Sequence, residues 1–200
     1  MSKKLLKALG LILVVALCIG CIAVFAACGE NDNKKDNNKE EADDAGFTEV
    51  SIFEGVQREF LNLNAVYFQP VDMTGGYNHE DYDCHLELDV SALENGYGYG
   101  TGDWVPYLSV DYSVTKKGDT TACASGSFMA MAASDGPHYG QNIKLKGDGI
   151  YSVTFTIKFP DTSTYVIHTD ETGPEKHTFP NTIVYTYDNW EFTNGAWNAE

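Results

Sequence analysis

Three observations predict an all-β fold for this 200-residue chain, an immunoglobulin-like β-sandwich. Apolar and polar residues alternate with a period of two along 108–114, where Leu108, Val110, Tyr112 and Val114 face one way and Ser109, Asp111 and Ser113 the other. The same alternation runs along 151–159, from Tyr151 through Val153, Phe155 and Ile157 to Phe159. Glycine- or Asp/Gly-bearing stretches at 95–102, 116–120, 146–149 and 170–173 then punctuate the chain at the spacing of short strands. The 12 Tyr and 10 Phe supply bulk for a core. Further strands are expected at 64–71, 84–90, 163–168 and 182–192, and a short helix fits the apolar spacing of 49–60.

Residues 1–27 read as a signal peptide. Lys3, Lys4 and Lys7 precede a long apolar run that ends Val24-Phe25-Ala26-Ala27 before Cys28. That ending resembles a bacterial lipobox, which would make Cys28 the lipidated first residue of the mature protein. The run is also long enough for an uncleaved anchor, which needs ~20 residues. Either way, the lysines hold the N-terminus inside and the domain lies on the extracytoplasmic side of the cell membrane. Residues 28–46 contain no aromatic and no aliphatic residue larger than Ala, so they cannot bury apolar surface and are expected to be a disordered linker. Residues 47–200 form the domain.

The net charge is −16, from 13 Lys+Arg against 29 Asp+Glu, and loss of the signal peptide makes it more negative. Such a surface repels nucleic acid, so no nucleic-acid partner is expected. It attracts cations without discrimination, which alone argues only for solubility. Two cysteines, Cys84 and Cys123, fall in the domain, and an exported domain can pair them or keep them as free thiols. No nucleophile–base pattern or cofactor fingerprint is visible, and the chain is not expected to be an enzyme.

Three stretches could carry chemistry, the third being 165–173 around His168. In Cys84-His85-Leu86-Glu87-Leu88-Asp89-Val90, a strand would send Leu86, Leu88 and Val90 to the core and His85, Glu87 and Asp89 to the other face. His85 and Glu87 are then about 6.5–7 Å apart along the backbone and point the same way, which suits two ligands on one ion. A polar outer strand face is the ordinary alternative. Further on, Asp135-Gly136-Pro137 reads as a turn that presents His138 on a loop, with Met131 seven residues earlier. A thioether and an imidazole favour copper, whereas a methionine near a strand is usually core. His168 is by itself a surface histidine, and His79 and His177 look solvated.

The stretches AVYFQPVDM at 65–73, HLELDV at 85–90, WVPYLSVDYSV at 104–114, MAMAASDGPHYGQNI at 129–143 and HTDETG at 168–173 resemble the periplasmic high-affinity iron-transport protein family. That family includes lipoprotein membrane antigens and copper-binding iron-uptake proteins. The resemblance implies a homodimer with metal sites near its interface. It implies a site of His85, Glu87, Met131, His138 and His168. Apart from the resemblance, Asp135 is a candidate beside that site or for a second, harder ion, since carboxylate oxygens suit such ions. It further implies copper at that site, iron as the cargo with zinc or manganese as substitutes, and a membrane iron permease as partner. Ala130 and Ile167 stand where the family often has Pro and Arg. The competing functions are an adhesin for a host metalloprotein and an extracellular copper/iron oxidoreductase. The latter lacks the Cys ligand of a blue-copper centre. Since imidazoles ligate only when neutral, affinity is expected to fall as pH drops through about 6.5.

Overall fold

The computed structural model describes residues 48–198, and nine strands there form two antiparallel sheets. The signal peptide, Cys28 and the linker to residue 46 lie outside the described residues. The strands are β1 (Val50–Arg58), β2 (Leu61–Phe68), β3 (Cys84–Ala92), β4 (Ser109–Lys116), β5 (Ala124–Ser127), β6 (Met129–Ala132), β7 (Pro137–Ile143), β8 (Gly149–Lys158) and β9 (Ile183–Phe192). One sheet has the order β1-β2-β3-β7-β6 and the other β5-β4-β8-β9. The all-β sandwich expected from the alternation is the observed fold. Among the described residues no helix is long and apolar enough to cross a membrane.

The core lies between the sheets, because each strand sends every second side chain there. Leu61, Leu63, Ala65 and Tyr67 of β2 and Leu86, Leu88 and Val90 of β3 face Val110 and Val114 of β4 and Tyr151, Val153, Phe155 and Ile157 of β8, all buried. Each such large apolar side chain contributes about 1.5–3 kcal/mol by leaving water. In β9 the inward phase changes along the strand. Tyr151 pairs with Trp190 but Val153 pairs with Tyr187, and this bulge lets both Ile183 and the Trp190/Phe192 end face the core.

β5 and β6 are almost one continuous strand that changes sheet at Phe128. Its N–H donates to the Val110 carbonyl (2.8 Å), and its buried ring stacks on Tyr112 at 4.8 Å. Before it the chain pairs with β4; after it, with β7. The run Ala124–Ser127 is small enough to turn this corner, and the crossing delivers Met129 and Met131 to the edge of the first sheet.

Three expectations need correction and one open alternative is resolved. Residues 49–60 form β1, not a helix: register shifts after Ser51 and Phe53 bury both Ile52 and Phe53, so the bulged strand carries apolar spacing that imitates a helical face. Residues 163–168 form no strand. Asp161 Oδ1 accepts from the Ser163 and Thr164 N–H groups in a turn, and Tyr165 then packs on Phe179, so the alternation there records side-chain packing without backbone pairing. His138 lies inside β7, not on a loop; only Ser134–Gly136 is the turn. Of the two states left open for the cysteines, both Cys84 and Cys123 are free thiols.

Tyr139 of β7 ties the two layers together beside His138. Its buried hydroxyl accepts from the Leu108 N–H (3.0 Å) and donates to the Val105 carbonyl (2.8 Å). The clamped turn between them holds Tyr107 in the left-handed region at φ 63°. Tyr139→Phe strands that buried N–H and carbonyl, so unfolding in urea should show a loss of about 1–3 kcal/mol; a midpoint equal to wild type would refute the clamp.

Candidate metal centre

The outer face of the first sheet holds the site. β3 turns Leu86 and Leu88 to the core and therefore His85, Glu87 and Asp89 away from it. Pairing sets the neighbours: His85 lies opposite Asn142 and Glu87 opposite Gly140 on β7, while Met129 lies opposite Gly140 and Met131 opposite His138 on β6. Side chains at paired positions share a face, so imidazole, carboxylate and thioether groups occupy one patch of sheet. This face is not left to water. His85 is 0% exposed, Glu87 2% and His138 4%. The polar outer strand that is ordinarily expected of such alternation is absent here: Val71 bonds to Asn142 on this face, and Thr48, Glu49 and Val71 to Thr74 line a cavity over it.

One ring nitrogen of His85, one ring nitrogen of His138 and one carboxylate oxygen of Glu87 lie within 4.8 Å of one another. The rings stand nearly perpendicular at 5.9 Å, and His138 Nδ1 is 3.3 Å from Glu87 Oε1. Asn142 decides the tautomer of His85. The Val71 carbonyl can only accept, so the Asn142 group facing it (2.7 Å) is the NH₂. Asn142 Oδ1 therefore faces the Val71 N–H (3.2 Å) and His85 Nδ1 (2.9 Å), which must carry the proton. The lone pair of His85 is then on Nε2, a buried atom without a hydrogen-bond partner. Nε2 occupies space that only a glycine leaves open: a Cβ on Gly140 would lie 2.6 Å from it.

The charge states follow from burial. Burial lowers His85 to about 4, against the raising effect of Asn142, and it lowers His138 against the pull of Asp89 and Asp135. Burial first, then Asp89, Glu49 and Asp135, pushes Glu87 up to about 9. Asp89 is raised chiefly by burial, and Glu49 by burial and then by Asp135. Burial thus disfavours the charged form of both imidazoles and of the Glu87 carboxyl where no cation compensates. An orphaned imidazole nitrogen, a carboxyl that ionises only with compensation and adjacent thioethers fit a transition-metal ion.

A cavity of ≈ 900 Å³ opens on this group. Met131 and Asp135 line it, and Met73, Met129 and Glu49 line it as well. Oxygens of Glu49, Glu87 and Asp135 also come within 4.8 Å of one another, an all-carboxylate group sharing Glu87 with the imidazoles. His168 does not join either group. It lies on an exposed loop, its Nδ1 3.0 Å from Thr172 Oγ1. His79 is exposed and pairs with Asp72 at 2.8 Å, and His177 is exposed. Sequence reading missed Glu49, Met73, Met129 and Asn142. Recognition of β7 as a strand would have put Asn142 on the face of His138; nothing local marks Glu49.

A family model described as Fe2+ transport protein matches residues 46–194. The 34 kDa membrane antigen of Treponema pallidum is 37% identical over 190 residues, covering 87% of this chain and 93% of that protein. The solved structure of FetP from uropathogenic Escherichia coli strain F11 is similar with a TM-score of 0.64 and 40% identity, covering 74% of this chain and 100% of FetP. Copper-reconstituted P19 of Campylobacter jejuni is similar with a TM-score of 0.62 and 35% identity, covering 72% of this chain and 98% of P19. The match spans the whole sandwich and the strands that carry His85, Glu87 and His138, and on that ground the chain belongs to the Fe2+ transport protein family.

Proposed function

We propose that this chain is an extracytoplasmic metal-binding lipoprotein of a high-affinity iron-uptake system, anchored through Cys28 and working beside a membrane iron permease. The observation that carries the reading is the buried His85–Glu87–His138 group, whose one orphaned nitrogen faces the methionine-lined cavity. The copper-bound state of P19 supports copper as the resident ion. His85 Nε2, His138 and the Met131 thioether would hold it, with Glu87 as a variable ligand; the bound ion supplies a positive centre that compensates the Glu87 carboxylate. Iron is the cargo. A harder cation, with zinc or manganese as substitutes, is better served by the oxygens of Glu49, Glu87 and Asp135. The family description is transport of Fe2+, which favours cargo binding over turnover or adhesion.

His168 enters this reading through a homodimer. Within one chain it stands outside the ligand group, and a second copy would bring its own His168 to the mouth of the cavity. Sedimentation should report a dimer, and His168→Ala should weaken copper binding without changing the fold.

His138→Ala removes an imidazole while leaving β7 intact, and titration calorimetry should show copper affinity reduced by roughly 100-fold or more; unchanged affinity would sink the assignment. The pH dependence is set by Glu87 rather than by the imidazoles. His85, at about 4, is already neutral at pH 6, whereas Glu87, at about 9, must lose its proton before it can ligate. Apparent affinity should therefore rise with pH up to about 9, by up to ~10-fold per unit, with about one proton released per ion near pH 7. Calorimetry in buffers of different ionisation enthalpy counts that proton, and Glu87→Gln should abolish its release.

A further inference from the structure

The 69–83 connection between β2 and β3 contributes Val71, Asp72, Met73 and Thr74 to the wall of the cavity and is fastened beside the site at Val71. Asn142 holds Val71 by both its N–H and its carbonyl, as a neighbouring strand would, and the same Asn142 oxygen accepts from His85 Nδ1. Two residues beyond Val71 comes Met73. Its N–H donates to the Tyr77 carbonyl (3.2 Å), closing a small turn through Thr74, Gly75 and Gly76. The adjacent Asp72 is held by His79 at 2.8 Å. These bonds set the loop so that Met73, half-buried, lines the same cavity as His85, Glu87 and His138.

The chain has four methionines, and all three that lie among the described residues (Met73, Met129 and Met131) line this cavity. β6 accounts for two of them by alternation. Met73 comes from a different element, in a connection that is otherwise mostly polar and carries three Asp and two Gly. Methionine's use as an apolar filler does not require that convergence, since Phe68 and Val71 already supply apolar wall. Thioethers are soft ligands that select copper(I), whereas imidazole and carboxylate serve copper(II) as well.

We infer that Met73 is a further ligand of this site, carried on the Asn142-fastened loop, and that it tunes the site toward copper(I). This rests on the reading of the site as a copper centre, and the test separates the two. Wild-type full-length chain and Met73→Leu, which keeps the bulk and removes the sulfur, are purified in detergent. Copper(I) is titrated by competition with a chromophoric chelator, and copper(II) by calorimetry. Met73→Leu should lose roughly tenfold or more in copper(I) affinity and less than about threefold for copper(II). X-ray absorption at the copper edge should count one sulfur fewer per ion. In wild-type chain labelled at the methionine methyls, the Met73 methyl resonance should shift on addition of silver(I), a non-redox stand-in for copper(I). An unchanged copper(I) affinity and sulfur count, an equal loss for both ions, or a Met73 methyl that does not respond would each overturn the inference. A wild-type chain that binds neither copper ion would instead overturn the copper reading itself.

Discussion

β3 is buried on both faces, and the two faces are buried for opposite reasons. Leu86, Leu88 and Val90 leave water because the second sheet packs on them, a gain that scales with apolar area. His85 and Glu87 are also out of water, on the face where Val71 to Thr74 line the cavity beside them, and for these groups burial is costly unless something compensates. Asn142 compensates His85 on one ring nitrogen only. Glu87 is compensated by keeping its proton. The structure therefore leaves one nitrogen without a partner and one carboxyl that would ionise only beside a cation. The site is a consequence of hiding polar groups without satisfying all of them.

The two layers are not independent. Tyr139 sits next to His138 on β7, faces the core, and clamps the turn before β4. Phe128 lies at the point where the β5–β6 chain changes sheets, one residue before Met129. The core thus fixes the positions from which the ligands project, and Gly140, between His138 and Asn142, keeps the space among them open. The sandwich thus carries the imidazoles and Glu87 on strands, and the connection after β2 adds Met73 to the same cavity. Glu87 is shared by the imidazole group and by the carboxylate group, so the two donor sets meet at one side chain.

How legible this was depended on the kind of signal. Alternation showed correctly that His85, Glu87 and Asp89 share a face, because a side chain's direction along a strand is a local property. It could not show whether that face is wet, since burial depends on a segment that packs back from elsewhere. The motif at 134–140 pointed to His138 but not to its strand, because a Gly-Pro pair after an acidic residue marks a turn whether or not a strand begins directly behind it. β1 and the 163–168 segment failed in opposite ways. A bulged strand imitated helical spacing, and an unpaired extended segment imitated a strand.

The amino-acid sequence by itself determined the all-β class, the strands with regular alternation, the shared face on β3 and, through ordered motifs, the family. Those properties reside in residue order, in hydrophobic period and in spacing along one element. Only the tertiary structure decided that His85 Nε2 is the unpartnered lone-pair atom, that burial pushes the Glu87 carboxyl up, that Glu49 and Met73 stand beside residues distant in sequence, and that His168 does not join them within a single chain. Each of these depends on pairing between strands or on a loop folded over a face, and neither pairing nor covering is written into any local stretch.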